Sequence, residues 1–591
     1  MAPLNNYNWH FFAFWNYTPM QFRTFFLFTL AILFVAPASG QDNKDLLREF
    51  QYRAAELGTS DWIHWGDQPG KFSNWTNHSN RLIPVYTFGV TLDSIKGENS
   101  IYRDEQRLTE LYGQPTRSTV NKDATYFDQT DLCTLQKQAW QAGKKHVILL
   151  VFDGMDWQTT QAASIYRNKK LLYTEGRGTG LKFLDYRADG ENDFGSCVTS
   201  PHNGSTQYDI NSQTVTNSNS QKGGGYSAEQ GGETPWAKNY NSTYLMARFR
   251  TLPHPYTDSA ASATSLNAGI KTYNSAINTD PDGKQVETLA HQMQRAGFSV
   301  GAVTNVPIAH ATPASVYAHN VNRGDYQDIS RDLLGLKSIS HQDNALPGLD
   351  VLIGGGWGET KKDDRRKQGK NFVPGNTYLS SKDLERIDVI NGGQYVVAQR
   401  TENESGAEVL AAAANNASEN GKRLFGMFGV RKGHLPFQTA DGNYDPTRGV
   451  RSAEVYSKAD VSENPTLADM TEAALTVLGQ NKKGFFLCVE AGDVDWANHN
   501  NNIDDSVGAV FSGDDAFQTI VDWDEANSNW DETCLIVTAD HGHMMTLDDP
   551  SVLTGERQPI SEELFREQLE AQRAKKKAKE KKKEEVEAEK K

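Results

Sequence analysis

The stretch HVILLVFDGM, residues 146–155, is a continuous apolar run that stops on an acidic residue. A strand in a parallel sheet is covered on both faces, so such a run is typical of it. Residues at helical spacing separate this run from the later ones, as at Val286, Leu289 and Met293 and again from Leu467 to Leu478. This alternation predicts an α/β fold, with a large, mostly parallel central sheet and helices on both faces. The later runs are SVGAVTN (299–305), LDVLIGGG (349–356), GFFLCVEAG (484–492) and CLIVTADHG (534–542).

The chain has 591 residues and a formal net charge of −15, from 60 basic and 75 acidic residues. Because phosphate backbones are bound through clustered Lys and Arg, this balance argues against nucleic acid as a specific partner. The length suits one large α/β domain with insertions, or two domains. We predict a region of unassigned role at 41–142, and a catalytic domain at 143–550 with a surface loop inserted at 187–238. A solvated Lys/Glu tail is predicted at 551–591.

The first 40 residues have the pattern of a signal peptide. An arginine precedes the apolar run FFLFTLAILFVAPASG, residues 25–40, whose small residues at the end are typical of a cleavage site. The run is too short to cross a membrane as a helix. We therefore predict export to the periplasm or the medium, with no membrane anchor after the segment is removed.

Three of the predicted strands lead into side chains that bind metal ions. An acidic residue at a strand end is often only the cap of the next helix, and an Asp and a His four residues apart can be a plain surface pair. Because the carboxyl ends of parallel strands meet at one edge of a sheet, the whole set predicts a metal cluster there. Carboxylates with imidazoles suit zinc, and carboxylates with a hydroxyl suit magnesium. The side chains are Asp153, Glu490, Asp495, His499, Asp540 and His541.

A nucleophile is offered by PYTDSAASATSLNAG, residues 255–269. Thr257 or Asp258 would cap a helix and leave Ser259 in its first turn, where free backbone N–H groups and the helix dipole favour an anion. The alternative is a plain cap followed by small residues for close packing. Ser299 lies in a G-x-S-x-G sequence, but it stands between a helix and the next strand, whereas a nucleophile elbow stands between a strand and the next helix.

Five sequences resemble, in order, the successive motifs of the alkaline phosphatases: VFDGM, YTDSAASAT, AHATPASVYAHNVNR, FFLCVEAGDVDWANH and IVTADHGH. The resemblance covers roughly residues 145–545, with compatible spacing. It implies an exported enzyme that hydrolyses small-molecule phosphate monoesters through a phosphoserine, with two zinc ions and one magnesium ion. A homodimer is common in that family.

The resemblance also implies the roles of individual residues. Ser259 would be the phosphorylated nucleophile, and Arg323 would bind the phosphoryl oxygens in a bidentate manner. The implied metal ligands fall into three groups: Asp153, Asp540 and His541 for the zinc that faces the serine; Asp495 and His499 for the other zinc; and Asp153, Thr312 and Glu490 for the magnesium.

Two neighbours of the site differ from the best-known bacterial members. His310 stands where those members have an aspartate, and Trp496 stands where they have a lysine, a combination that resembles other branches of the family. Because His310 removes a carboxylate from the surroundings of the magnesium, we expect weaker magnesium binding or a different divalent ion. The alternative is a core histidine without this role.

The resemblance implies that a histidine well downstream of Asp540 and His541 supplies the third ligand of the zinc at Asp495 and His499. In this sequence no histidine follows His543, so that ligand is missing from the expected place. His543 itself matches a residue that would hydrogen-bond Asp495 from outside the ligand shell. We prefer His254, five residues before Ser259, as the replacement. A water molecule as the third ligand, or a chain end altered by truncation, would also account for the missing histidine. The upstream candidates are His202, His254 and His434.

The sequence leaves two different functions open. The substrates could be phosphodiesters or sulfate esters, although the chain has no Cys/Ser-x-Pro-x-Arg sequence of the sulfatase kind and Arg323 suits a terminal phosphoryl group. The chain could also be a secreted, phosphate-binding pseudo-enzyme, inactive because one zinc site is incomplete.

Overall fold

The computed structural model describes residues 46–72, 78–204, 206–217, 223–247, 254–451 and 453–589. These residues form one compact unit. The predicted signal segment at 25–40 lies outside them. Within the described ranges, no helix is long and apolar enough to cross a membrane.

Ten of the sixteen strands in the described ranges form the central sheet, in the order β12-β13-β9-β8-β14-β4-β15-β2-β5-β3. The strands are β1 (Ile63–Trp65), β2 (Ile83–Phe88), β3 (Phe127–Asp128), β4 (His146–Phe152), β5 (Asn192–Val198), β6 (Gln207–Asp209), β7 (Thr214–Asn217), β8 (Ser299–Pro307), β9 (Val351–Gly355), β10 (Thr360–Lys361), β11 (Gly375–Asn376), β12 (Tyr395–Gln399), β13 (Arg423–Met427), β14 (Phe485–Ala491), β15 (Thr533–Thr538) and β16 (Met545–Leu547). Neighbours in the sheet are parallel, except that β2 is antiparallel to β15 and to β5. The five apolar runs are β4, β8, β9, β14 and β15, so the predicted sheet is confirmed.

The described ranges contain twenty α-helices, and two groups of them contact the central strands β4, β8 and β14. The helices are α1 (Leu46–Leu57), α2 (Glu105–Tyr112), α3 (Gln129–Gln141), α4 (Trp157–Asn168), α5 (Lys182–Asp185), α6 (Ala228–Gly231), α7 (Ser242–Leu245), α8 (Ser259–Ala268), α9 (Leu289–Arg295), α10 (Ala311–Ser315), α11 (Tyr326–Leu333), α12 (Arg365–Gln368), α13 (Ser381–Ile387), α14 (Gly406–Glu419), α15 (Lys458–Ser462), α16 (Leu467–Leu478), α17 (Asp493–His499), α18 (Ile503–Asn527), α19 (Ser551–Thr554) and α20 (Glu562–Glu589). One group contains α14, α16 and α18, and the other contains α3, α8, α9 and α10. Because the two groups pack separately on shared strands, helices cover both faces of the sheet.

The predicted helix at Leu467–Leu478 is confirmed, and the Thr466 side chain accepts a hydrogen bond from the backbone N–H of Asp469 at its start. The helix predicted around Leu289 is shorter than its apolar spacing suggested. Thr288 is its N-cap, so Val286 precedes the helix instead of sharing its face.

The boundary predicted at residue 142 does not separate two bodies. Strands β2 and β3 belong to the central sheet, and α3 packs on α8. A buried ion pair joins the two sides of the boundary, with 3.1 Å between Lys271 Nζ and Asp128 Oδ1. The region at 41–142 is therefore an integral part of the fold wherever the structure describes it.

The insertion at 187–238 is more than the predicted surface loop. It contains β5, which lies between β2 and β3 in the central sheet, and it contributes the fully buried Tyr226 to a small aromatic core. The sequence of β5, NDFGSCV, is poor in strand-forming residues, so pairing with its neighbours overrides local propensity.

The solvated tail predicted at 551–591 starts too early, because Val552 and Leu553 of α19 are buried in the core. Phe565 is buried in the first part of α20 and packs on Tyr52 of α1, with Arg53 over its ring. Beyond these contacts, the described side chains of the helix are mostly exposed, as a solvated tail predicts.

Candidate active site and metal-binding residues

The three ligand-bearing strands are neighbours, because β4 lies between β14 and β15 and is parallel to both. Asp153 follows β4 directly and Asp540 comes two residues after β15, so both emerge at the same edge of the sheet. Gly154, with a φ of +74°, donates its N–H to Asp540 Oδ1 at 2.9 Å. A Cβ at this position would lie 2.8 Å from the His543 ring, so the close approach requires glycine.

Asp153, Asp540 and His541 form one compact group of metal-ligand atoms. His541 Nε2 lies 3.4 Å from Asp153 Oδ1 and 3.4 Å from Asp540 Oδ2. Gln129 and Ser262 hold the backbone carbonyl of Asp540, at 3.0 and 2.6 Å. A glutamine from the N-terminal region therefore helps to hold the segment after β15 that carries Asp540.

Glu490 and Thr312 lie beside this group. The Thr304 hydroxyl donates to Glu490 Oε2. Burial raises the pKa of Glu490 to about 7, although the hydroxyls of Thr304 and Thr312 lower it. Burial also raises the pKa of Asp540 to about 6 and that of Asp153 well above its usual range, with neighbouring carboxylates adding to the shift of Asp153. A cation among these groups would reverse such shifts.

A second group of ligand atoms surrounds Asp495, which α17 carries one turn before His499. Asp495 Oδ1 lies 2.7 Å from His543 Nε2 and 3.5 Å from His499 Nε2. Burial would raise the pKa of Asp495, but the adjacent histidines hold it well below its usual range. The predicted contact of His543 with Asp495 is observed.

His78 completes this group, and the sequence reasoning missed it. His78 Nε2 lies 3.1 Å from His499 Nε2 and 3.5 Å from Asp495 Oδ1. Its Nδ1 lies 2.8 Å from the carbonyl oxygen of Thr257. Because a carbonyl only accepts, Nδ1 carries a hydrogen, and in the uncharged ring Nε2 then has the lone pair. Burial lowers the pKa of His78, but Asp495 raises it above its ordinary value. The ring also stacks on His541, with 3.6 Å between ring centroids.

The antiparallel strand β2 explains how His78 reaches the site. The amino end of an antiparallel strand lies at the same sheet edge as the carboxyl ends of its parallel neighbours. Ser79 donates its backbone N–H to the carbonyl of Gly542 at 2.7 Å, which fixes His78 beside the HGH sequence. The signal in the sequence was the strand-forming run IPVYTF shortly after His78.

The prediction of His254 as the third ligand is corrected, because its ring is engaged elsewhere. His254 Nε2 lies 2.7 Å from the carbonyl oxygen of Tyr244, and the two rings pack together. His434 stacks on Phe437, and neither His434 nor His202 belongs to a metal-ligand group in the described part of the chain.

Ser259 is the first residue of α8, as predicted, and its Oγ lies 3.2 Å from His541 Nε2. Asp258 is the N-cap, with one carboxylate oxygen accepting from the N–H of Ala261. The other oxygen accepts from Arg323 Nη1 at 3.1 Å. The capping residue therefore also holds the arginine beside the serine.

His310 and Trp496 lie side by side, with 5.5 Å between ring centroids. Burial lowers the pKa of His310 to about 3, helped by the charge of Arg323. Trp496 lines a cavity of about 260 Å³, together with Lys432 and Phe437. Asp495 and His499 lie in the same lining, so this cavity opens onto the second group.

The donor set fits divalent cations. Four buried oxygens of these residues have no hydrogen-bond partner of normal geometry among the described residues, which is costly unless a cation takes that place. Next to Asp495, the nitrogen atoms of His78 and His499 could bind such a cation, whereas His543 is already hydrogen-bonded to Asp495. The four oxygens are Asp153 Oδ1, Thr312 Oγ1, Glu490 Oε1 and Asp540 Oδ2.

Three curated proteins illustrate what the chain is similar to. It is 30% identical over 288 residues to alkaline phosphatase 4 of Bacillus subtilis, covering 48% of this chain and 49% of that protein. It is 29% identical to the Escherichia coli alkaline phosphatase, covering 51% and 61%. Alkaline phosphatase 4 of Drosophila melanogaster is 26% identical, covering 72% and 62%. The chain thus spans about half to three fifths of the length of these relatives.

Solved structures give a weaker similarity. A cold-active alkaline phosphatase from Shewanella sp. aligns at 21% identity and a TM-score of 0.37, covering 67% of this chain and 68% of that one. The alkaline phosphatase of the Antarctic bacterium TAB5 aligns at 20% and 0.39, covering 68% and 80%. The family model described as alkaline phosphatase matches residues 220–590, which is more than half of the sequence, and the chain therefore belongs to the alkaline phosphatase family.

Proposed function

We propose that this chain hydrolyses phosphate monoesters through a phosphoserine formed at Ser259. The observation that carries the proposal is the position of Ser259 Oγ, which is 3.2 Å from His541 Nε2 at the first residue of α8. A nucleophile here faces both a group of metal-ligand atoms and the positive end of a helix.

The residues around Ser259 match the needs of phosphoryl transfer. The first turn of α8 offers free backbone N–H groups to the phosphoryl oxygens. Arg323 adds a planar pair of charged donors, and its contact with Asp258 fixes the guanidinium before the substrate arrives. Because these contacts concern only the phosphoryl end, we expect broad tolerance of the leaving group.

We further propose two zinc ions and one magnesium ion as cofactors. When bound, such cations would lower the pKa of the serine hydroxyl and stabilise charge on the attacking and leaving oxygens. The zinc ligands would be Asp153, Asp540 and His541 in one group and His78, Asp495 and His499 in the other, with Asp153, Thr312 and Glu490 for magnesium.

His78 removes the reason for an inactive pseudo-enzyme. That alternative rested on a missing third ligand beside Asp495 and His499, and a buried imidazole nitrogen lies within 3.5 Å of both. Export of the chain and a homodimer stay predictions: the first rests on residues 25–40, and the second on the family.

The proposal is tested with one set of substrates and two serine variants. The purified protein is offered a phosphomonoester, a phosphodiester and a sulfate ester in the presence of zinc and magnesium. We expect turnover of the monoester and its loss in Ser259→Ala. Ser265→Ala is the matched control, because Ser265 is buried in the same helix and its hydroxyl donates to the carbonyls of Ala261 and Ile270.

Isolation of a phosphorylated peptide containing Ser259 at low pH would establish the intermediate. Undiminished turnover in Ser259→Ala would refute the proposal. Faster turnover of the diester or the sulfate ester than of the monoester would indicate that one of these is the substrate class instead.

A further inference from the structure

A separate set of metal-ligand side chains lies outside the site described above. His319 lies in the segment between α10 and α11, Asp332 lies in α11, and His341 lies in the loop that follows. His319 Nδ1 is 3.1 Å from His341 Nε2, and His341 Nε2 is 3.7 Å from Asp332 Oδ2. The three residues therefore bring two imidazole nitrogens and a carboxylate oxygen to one point.

The tautomer of His319 is fixed by a neighbour outside the set. His319 Nε2 lies 2.9 Å from the carbonyl oxygen of Val286, so Nε2 carries the hydrogen. Nδ1 must then hold a lone pair, and it is directed at His341. A backbone carbonyl on the far nitrogen is the usual way in which proteins orient a histidine that binds metal.

Asp332 is held as firmly as His319. Its Oδ1 accepts from the Ser338 hydroxyl, and its Oδ2 accepts from the backbone N–H of His319 at 3.0 Å. These two hydrogen bonds fix the position of the Asp332 carboxyl group beside the two imidazole nitrogens.

The spacing of the donor atoms suits zinc. Two nitrogens bound tetrahedrally at about 2.0–2.1 Å from zinc lie about 3.3 Å apart, close to the 3.1 Å between His319 and His341. The His341 side chain is 13% exposed, which provides access from solvent and room for a water ligand. A third buried histidine, His291, stacks on His319 with 5.2 Å between centroids, and its Nε2 has no hydrogen-bond partner among the described residues.

We propose that His319, Asp332 and His341 form an additional zinc site, separate from the catalytic cluster. It would join the loop at 334–349 to α11 and to the segment that leads to Arg323, four residues after His319. This proposal does not depend on the proposed function, because the site uses none of the catalytic residues.

The competing explanation is a simple hydrogen bond between two neutral imidazoles. The variant His341→Gln distinguishes this hydrogen bond from a zinc site, because the glutamine amide can still donate to His319 Nδ1 but is a poor zinc ligand. His64→Asn is the matched control. His64 is also buried and also paired with an aspartate, with 2.6 Å between its Nδ1 and Asp548 Oδ2, but no second histidine joins that pair among the described residues.

The full chain is stripped of metal with a chelator, reloaded with zinc and dialysed, and its zinc content is measured by mass spectrometry. We expect His341→Gln to hold one zinc fewer per chain than the wild type, whereas His64→Asn holds the wild-type number. Equal zinc content in His341→Gln and the wild type would overturn the proposal.

Crystals of the zinc-loaded wild type give a test that needs no variant. An anomalous difference peak at the zinc edge is expected within about 2.0–2.1 Å of His319 Nδ1 and His341 Nε2. Absence of that peak, in crystals that show zinc at the catalytic cluster, would also overturn the proposal. Because this readout is a metal position, it stays informative even if the chain shows no phosphatase activity.

Discussion

Replacing His78 by asparagine removes one proposed zinc ligand with little damage to the fold. The asparagine amide can replace Nδ1 as the donor to the Thr257 carbonyl, which His78 contacts at 2.8 Å. What is lost is the Nε2 lone pair and the stack on His541, and we expect the stack to cost about 1 kcal/mol of stability. The protein should therefore remain folded.

The effect on zinc binding should be much larger. Loss of a partner outside the ligand shell weakens metal binding about 10–100-fold, and loss of one of three protein ligands should cost at least about 100-fold. A 100-fold loss corresponds to about 3 kcal/mol. Because Asp495 and His499 remain, high zinc concentrations should restore part of the activity.

The assay is a zinc titration of the metal-free protein, following both bound zinc and hydrolysis of a chromogenic phosphomonoester. The midpoint should move to at least about 100-fold higher zinc in His78→Asn. His254→Gln serves as the control, because the glutamine amide can keep the bond from His254 Nε2 to the Tyr244 carbonyl. A wild-type midpoint in His78→Asn, or a shifted one in His254→Gln, would refute the assignment of the third ligand.

Three further predictions concern positioning, stability and pH. Arg323→Lys keeps the charge but loses the planar donor pair held by Asp258, so steady-state kinetics should give a kcat/KM about 10–100-fold lower at unchanged zinc content; an unchanged value would contradict the role of Arg323. Lys271→Met leaves Asp128 buried without its ion pair, and urea titration should show a loss of about 3–5 kcal/mol in the free energy of unfolding, whereas a loss below about 1 kcal/mol would show that the pair is dispensable. The ring of His146 packs on two aromatic rings, and burial lowers its pKa from 6.5 to about 4. Below pH 6.5 the unfolded chain therefore binds more protons at His146 than the folded chain, so the free energy of unfolding falls as the pH falls from 6.5 towards 4. His146→Phe should lack this loss, which is about 2 kcal/mol at pH 5. Equal acid sensitivity of the two proteins would contradict this explanation.

Five of the parallel strands could be predicted because each of them has its own signal, whereas β12 and β13 were not predicted. A strand covered on both faces must be apolar throughout, and β4, β8, β9, β14 and β15 all have that composition. Their carboxyl ends must share an edge, so the clustering of Asp153 with Asp540 followed from topology alone. The position of Ser259 followed from the helix cap at Asp258.

The antiparallel half could not be predicted in the same way. Strand β2 contains Pro84, and β5 contains Asn, Asp and Gly, and these residue types are depleted in strands. Both strands are stabilised by pairing with neighbours that are distant in sequence. Because the sequence reasoning did not recognise β2, it had no means of bringing His78 to the site, and it preferred His254 only for its nearness to Ser259.

His78 and His499 are 421 positions apart in the chain, yet their imidazole nitrogens lie 3.1 Å apart. The entropy cost of closing a loop grows only with the logarithm of its length, so this separation adds little to the cost of the site. What the site requires instead is that β2 be docked against β15, since that pairing sets the position of His78 beside Gly542. A metal ion held between His78 and Asp495 would join the N-terminal region to the parallel sheet, and its binding energy would stabilise that docking. Local opening of β2 and loss of this metal ion should therefore be one cooperative event.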